Sequence, residues 1–430
     1  MLLKIFASAA QVFVFLLEEL NHLRNQRYMN DSFGTDMGIF NSGQLVSRIV
    51  PDSSVQFDRL KSLLDDYRHI YIVADSNVVM KCASVAGFVR GLDDVPVLTI
   101  EADESKKTMD TVLEICGWLL ERGADRDALV LGVGGGIVLD IAGFAASIYK
   151  RGVRYANVPT TLLAQVDAGI GGKTGVNFDK YKNILGVIRQ PEFTYLNVNV
   201  LSSLCKRDFL SGAAEMLKTF IIEDNGNYRK AVDFFRKCVE FSDSVNESGA
   251  VFGEDMSVCR SRFIIQDRMR DGIQDRMRDE LLYLVRSAVA VKAGIVSRDQ
   301  FESGERRKLN LGHTFAHSIE TLCRRSDLDV AFSHGEAVAI GIVMAARLAE
   351  RLSETGVGYQ VAKGLSGCLE SDLKSCGLPV ECPFNIGEMA SVMAKDKKAE
   401  GEVVHFVLPL SVGRVEVADL SVSNVANLLC

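Results

Sequence analysis

Three of the six histidines in this 430-residue chain, His313, His317 and His334, fall in one short stretch that reads KLNLGHTFAHSIE, a polar spacer, then SHGEAVAIGIVMAA. Both runs are apolar and periodic enough for helices. On a helix His313 and His317, four apart, stack about one turn, roughly 6 Å, from each other on the same face. Such a pair can clamp a metal between its imidazoles, or one histidine can ligate while the other moves protons. His334 and Glu336 are candidates for the next ligand. The plainer alternative is a pair of core histidines satisfied by backbone carbonyls.

A site of this kind needs elements to position it, and the first half of the chain supplies alternating strands and helices. IYIVAD (70–75) reads as a strand, 77–90 as a helix, 95–103 as a strand and 109–122 as an amphipathic helix. ALVLGVGGG (128–136) is a strand running into glycines, and 137–150 is the helix after it. Strand, helix, strand at this spacing predicts a parallel sheet, whose ligands bind at the carboxyl ends of the strands. Gly134, Gly135 and Gly136 stand at such an end, where backbone N–H groups can approach a pyrophosphate, although the pattern is not GxGxxG. Asp75 and Asn77 close the first strand and suit either a ribose contact or a helix cap. The stretch 150–183 then interleaves Gly169, Gly171, Gly172 and Gly175 with Arg151, Arg154, Lys173, Lys180 and Lys182, and adds Thr160, Thr161, Asp167 and Asn183. That is a local positive field beside exposed backbone, suited to an anionic ligand, or else a solvated hairpin with a charged face.

After Leu204 the pattern turns mainly helical. Glu215 and Lys218 lie three apart in the apolar run DFLSGAAEMLKTFII, so burial as a pair is expected. Lys292 is a lone lysine in AVAVKAGIVSRD, either buried or snorkelling. The octapeptide IQDRMRDG (265–272) recurs as IQDRMRDE (273–280) and is expected to be an exposed extension. Residues 1–40 read as a leader, disordered or lying ahead of the true start; its uncharged run 5–17 resembles a signal peptide's apolar part but is too short to span a bilayer. Net charge is −7 and the pI is near 5.6, which argues against nucleic acid as a partner. The ten cysteines are scattered without CxxC spacing, as expected of free thiols in the reducing cytoplasm. No membrane partner is expected.

Six blocks, in order, resemble the 3-dehydroquinate synthase family: GVGGGIVLDIAGFAASIYKRGVRYANVPTTLLAQVDAGIGGKTGVN, KNILGVIRQP, SGAAEMLK, LNLGHTFAHSIE, SHGEAVAIGIVMAAR, and KDKK followed by VVHFVLPLSVGRVEV. The resemblance implies an α/β NAD-binding domain with a parallel sheet (41–203) followed by a mainly α-helical metal- and substrate-binding domain (204–430), with the active site in the cleft between. It implies Glu215, His313 and His334 as ligands of Zn²⁺, or Co²⁺, leaving His317 for proton transfer. It implies NAD contacts from Asp75, Asn77, Glu104, Lys107, Gly135, Gly136, Asp140, Thr160 and Thr161, with Asp167, Lys173 and Lys182 alongside. The implied substrate set is Arg151, Asp167, Lys173, Asn183, Lys218, Lys292, Arg306 and Asn310, with Lys397 or Lys398.

The reaction that the resemblance implies converts 3-deoxy-D-arabino-heptulosonate 7-phosphate to 3-dehydroquinate and phosphate. It runs through transient oxidation by NAD, β-elimination, reduction and aldol closure, in chorismate and aromatic amino acid biosynthesis. A homodimer is implied as well. The runner-up is a sister sugar phosphate cyclase such as a 2-epi-5-epi-valiolone or 2-deoxy-scyllo-inosose synthase, whose substrates lack the carboxylate that Arg306, Asn310 and Lys292 would meet. Two residues depart from the family pattern. Leu139 stands in place of a glycine before the aspartate and is expected to crowd the pyrophosphate turn; Ala316 stands in place of a glycine in the HTFGH block.

Overall fold

The apolar runs of the first half pair into one seven-stranded sheet. The computed structural model describes residues 36–430 except 93, 180, 248–270, 326–331, 357 and 397–402; the leader, one copy of the duplicated octapeptide, and Lys397 and Lys398 therefore lie outside the described residues or nearly so. In chain order the strands are β1 (Met37–Asn41), β2 (Gln44–Asp52), β3 (Ile70–Asp75), β4 (Val97–Ile100), β5 (Leu129–Gly134), β6 (Arg154–Pro159), β7 (Lys173–Phe178), β8 (Tyr181–Ile188), β9 (Phe193–Asn197), β10 (Val403–Ser411) and β11 (Arg414–Ser421). The large sheet runs β1-β2-β9-β6-β5-β3-β4, parallel except for β1 on the edge. All six residues of β5 are buried, as suits a central parallel strand covered on both faces.

From β3 the chain steps outward to β4, returns to β5 on the other side, and continues to β6 in the opposite direction. The crevice between the carboxyl ends of β3 and β5 is thus the point where the winding reverses, the usual ligand position in such sheets. Asp75 and Gly134 end those two strands.

The sheet's helices are α1 (Asp58–Leu64), α2 (Ser76–Lys81), α3 (Ala83–Arg90), α4 (Met109–Glu121) and α5 (Gly136–Ile148). The single helix expected over 77–90 is two, because Cys82 adopts an extended backbone (φ −97°, ψ 102°) with its thiol buried. The strand expected over 95–103 is only Val97–Ile100, since Asp103 turns the chain by accepting from Ser105 N at 2.8 Å. The glycine-rich basic stretch folds in part as the antiparallel ribbon of β7 and β8, outside the large sheet.

The second half holds α6 (Lys206–Ile222), α7 (Tyr228–Glu247), α8 (Asp271–Arg298), α9 (His313–Arg325), α10 (His334–Glu354), α11 (Leu365–Ser375), α12 (Ile386–Asp396) and α13 (Val422–Leu429), with β10 and β11 as a separate antiparallel pair. The second octapeptide copy forms the start of α8. Helix α6 is buried continuously from Phe209 to Ile222, which makes it the axis of this half. Helix α10 lies directly on it: a Cβ on Gly335 would stand 2.2 Å from the Ser211 carbonyl oxygen. Gly341 in the same way admits the Gly312 carbonyl, which a Cβ would meet at 2.1 Å. Among the described residues no helix is long and apolar enough to cross a membrane.

Candidate metal centre and active site

Three helices deliver one donor each to a common point. Glu215 comes from the middle of α6, His313 opens α9 and His334 opens α10. Both helix starts are fixed locally. Gly312, at φ 78°, turns the chain into α9. Ser333 caps α10 in a reciprocal box, its side chain accepting from Glu336 N while the Glu336 carboxylate accepts from Ser333 N at 2.6 Å. Glu336 also grips Arg207, so its carboxylate is spent on capping and pairing, and Glu215 takes the acidic place beside the histidines.

His334 Nε2 stands 3.2 Å and His313 Nε2 3.8 Å from Glu215 Oε1, and all three donor atoms lie within 4.8 Å of one another. Donors about 2.0–2.1 Å from a tetrahedral cation stand roughly 3.4 Å apart, which these separations bracket. Each imidazole turns its Nδ1 away, His313 to the Leu311 carbonyl at 3.2 Å and His334 to Glu320 Oε1 at 3.1 Å. Glu215 is fully buried, yet neither of its oxygens has a hydrogen-bonding partner of proper geometry among the described residues. A buried carboxylate is costly unless cations meet it; Lys218 meets Oε2 at 2.5 Å, and Oε1 is left facing the two imidazoles. The donor set therefore fits a divalent metal with open positions.

The surrounding charges hold Glu215 ionised and His313 neutral, as a metal needs, whereas at His334 a metal would take the place of the Nε2 proton that faces Glu215. Burial favours neutral Glu215, but Lys218 Nζ, 2.5 Å from Oε2, outweighs it and keeps the carboxyl below its ordinary range. Burial and then Lys218 push His313 down to about 3, so this imidazole is neutral. His334, despite burial, is pushed up to about 10 by hydrogen bonds to Glu215 and Glu320. Behind Glu215 a second layer forms on Asp167, which sits in a π-helical turn, Ala164–Ala168, after β6. Its Oδ1 is 2.5 Å from Lys292 Nζ and 3.7 Å from Lys218 Nζ, and its backbone carbonyl accepts from Lys292 as well. Lys292 does not snorkel; it is buried and crosses from α8 to the sheet half.

Further residues of the implied substrate set stand on neighbouring loops. Arg306 is buried, donating to the Gln300 and Gly171 carbonyls, with its Nε lacking a partner among the described residues. Its loop is held by Asp299, which accepts from the backbone N–H groups of Ser303, Gly304 and Arg306. Asn310 Nδ2 donates to Glu302, and Lys173 pairs with the other oxygen of the same carboxylate. His317 is exposed one turn beyond His313, their ring centroids 5.7 Å apart. Lys182 Nζ reaches Glu320 at 3.3 Å. Arg151 is exposed just past the C-terminal end of α5, about 20 Å along that helix from the glycine turn at its start. This chain alone does not bring it to the cluster. Lys397 lies outside the described residues.

At the glycine end of the sheet, Gly135 caps α5 and Gly136 begins it. A Cβ on Gly136 would come within 3.0 Å of Ala168, and one on Gly135 within 3.1 Å of Thr161, so the turn lies close against the loop after β6. Thr160 is buried there with its hydroxyl unpartnered among the described residues. Lys107 Nζ donates to Asp140 and to Asn183, each at 2.6 Å, tying α5 to the ribbon. Burial raises Asp140 to about 6 against the pull of Lys107. Asp75 is buried and accepts from Asn77 N, while Glu104 accepts from Asn177. Leu139 packs its side chain against Gly132 and Gly169. Ala316 is buried without strain on α9. Glu320, Glu302 and Asp299 were not anticipated; Glu320, seven residues beyond His313 on the same helical face, could have been found from that spacing.

The 3-dehydroquinate synthase N-terminal family region matches residues 97–211, and the C-terminal region matches 259–399. A 3-dehydroquinate synthase of Prochlorococcus marinus is 36% identical over 338 residues, covering 78% of this chain and 80% of that protein. Among solved structures, 2-epi-5-epi-valiolone synthase from Streptomyces hygroscopicus, with NAD⁺ and Zn²⁺ bound, superposes with a TM-score of 0.69 at 26% identity, over 90% of this chain and 96% of that one. A 2-deoxy-scyllo-inosose synthase complexed with carbaglucose-6-phosphate, NAD⁺ and Co²⁺ shares the fold, with a TM-score of 0.68 at 20% identity over 92% and 99% of the two chains. With its sequence matched across both regions and its parallel sheet joined to a mainly helical second half, the chain belongs to the 3-dehydroquinate synthase family.

Proposed function

We propose that the protein is an NAD- and metal-dependent 3-dehydroquinate synthase, taking 3-deoxy-D-arabino-heptulosonate 7-phosphate to 3-dehydroquinate with loss of phosphate. The observation that carries this reading is Glu215, wholly buried, with Oε2 against Lys218 and Oε1 facing two imidazoles, beside the buried cations Lys292 and Arg306. Zn²⁺ or Co²⁺ on Glu215, His313 and His334 supplies Lewis acidity toward a substrate hydroxyl, and NAD in the crevice between β3 and β5 supplies reversible hydride transfer.

The chain's own residues do the rest. Gly135, Gly136, Thr160 and Thr161 bring backbone and hydroxyl groups to the dinucleotide's phosphates, while Asp75, Asn77, Glu104 and Lys107, with Asp140, border its sugars and base. Lys292, Arg306 and Asn310 face an anionic, hydroxylated substrate, and Asp167 fixes the lysines among them. Lys173 and Asn183 line the ribbon side. To His317, exposed beyond His313, the reading assigns the proton that accompanies phosphate departure. Holding the reacting groups in register is the main contribution of such a scaffold. The working unit proposed is a homodimer in the cytoplasm; the biosynthetic family and the free cysteines support that setting.

The test is phosphate release from the heptulosonate phosphate by protein supplied with NAD⁺ and Zn²⁺. Stoichiometric phosphate without net NADH is the expected result. Accumulating NADH would mark a simple dehydrogenase, and turnover of sedoheptulose 7-phosphate or glucose 6-phosphate instead would mark a sister cyclase.

A further inference from the structure

We infer that Glu320 is a positioning residue of the metal centre, one that also joins a metal ligand to the ribbon of the sheet half. The inference rests on reading Glu215, His313 and His334 as a metal site. The side chain of Glu320 is 11% exposed and comes from the third turn of α9, and each of its oxygens has a different task. Oε1 lies 3.1 Å from His334 Nδ1, and Oε2 lies 3.3 Å from Lys182 Nζ on β8. One carboxylate thus meets a helix of the second half and a strand of the first.

The chemistry of imidazole makes the first contact consequential. A ring whose Nδ1–H donates to a carboxylate has its Nε2 lone pair free, and that nitrogen faces Glu215 at 3.2 Å. The carboxylate fixes the tautomer and ring plane and makes Nε2 a stronger donor. His313 is oriented by a neutral partner, the Leu311 carbonyl, so the two imidazoles are not equivalent ligands. The second contact limits rotation of the carboxylate, because turning it toward either partner would release the other. Lys182 accordingly acts on the metal side, through Glu320.

The experiment uses full-length protein stripped with a chelator and titrated with Zn²⁺ against a chromophoric competitor, with visible absorption of the Co²⁺-loaded protein as the second readout. Wild type should bind one equivalent. Glu320→Ala should bind Zn²⁺ roughly 10- to 100-fold more weakly. Glu320→Gln, which keeps an acceptor, should lose less, and both should alter the Co²⁺ bands. Lys182→Met should cost less than Glu320→Ala. The inference is overturned if Glu320→Ala keeps wild-type affinity and Co²⁺ bands, or if Lys182→Met proves the more damaging. If Glu320→Ala does not fold, Glu320→Gln decides: a change in affinity or bands supports the role, and neither change overturns it. Wild type that takes up no metal would instead remove the metal reading, and this inference with it.

Discussion

Asp167 carries more of the site than its place in a loop suggests. It is the counter-ion shared by Lys218 and Lys292, two lysines less than a tenth exposed and drawn from different helices. Replacing it with asparagine leaves both ammonium groups short of charge compensation, which costs about 3 kcal/mol in buried pairs. Urea unfolding of Asp167→Asn at pH 7 should show a loss of that order, and an unchanged midpoint would mean the lysines find water instead. The pH dependence has a definite sign. Burial works to raise the Asp167 carboxyl, but the two lysines hold it well below its ordinary range. The stability it adds is therefore present above the unfolded value, about 3.9, and is lost as pH falls below it toward the folded value. The gap between wild type and Asp167→Asn should close on acidification through that window. At this scale the sequence was readable where residue types are rare: three of six histidines in one stretch pointed to the centre. The choice of carboxylate was not readable from spacing, since Glu336 stands nearer His334 in sequence and is consumed by Ser333 and Arg207. Glu215 came only from the family resemblance.

Between elements, glycines set the distances on which the donor set depends. Helix α10 rests on α6 at Gly335, and any Cβ there would meet backbone atoms of Ser211, which cannot rotate aside. Since Gly335 follows His334 and Ser211 lies one turn before Glu215, the clash acts directly on the gap between those ligands. Gly335→Ala should destabilise the fold by roughly 1–3 kcal/mol, the range for overpacking. It should also weaken Zn²⁺ binding although no ligand is changed; zinc titration of the stripped variant checks this, and wild-type affinity would show that α10 can shift without carrying His334. The strands around this framework were legible in proportion to their burial. Central β3 and β5 read as unbroken apolar runs because helices cover both faces. Edge strand β1 and its neighbour β2 alternate weakly, and β7 with β8 pair only with each other, so neither pair left a clear period. Helix α2 stops at Cys82, whose backbone is extended and whose thiol is buried, which composition does not announce.

For the molecule as a whole, the proposed boundary between residues 203 and 204 divides labour more than it divides the core. One face of the sheet, with Ile49, Ile72, Leu131 and Val158, belongs to the same apolar cluster as Phe209, Leu217 and Phe220 of α6 and Val289 of α8. Only the opposite face, where Val73 and Val130 pack on Ile115 and Ile141, has a core of its own. Polar ties follow the same route: Lys292 to Asp167, Lys173 to Glu302, Lys182 to Glu320, and the Phe40 backbone N–H to Ser297. The exposed pairs among these contribute little and are screened by salt. The shared apolar surface contributes far more, about 1.5–3 kcal/mol for each large side chain fully withdrawn from water. Cutting the chain at 203 would uncover α6 along its length, and few such side chains are needed to exceed the roughly 5–15 kcal/mol by which folded domains are usually stable. Residues 204–430 produced alone should therefore show no cooperative urea transition and no stoichiometric zinc, whereas the full chain should unfold in one step by circular dichroism and by fluorescence of its single tryptophan, Trp118 on α4 of the sheet half. A fragment that unfolds cooperatively, or two separated transitions in the full chain, would show that the metal half stands by itself and that the sheet contributes the dinucleotide crevice alone.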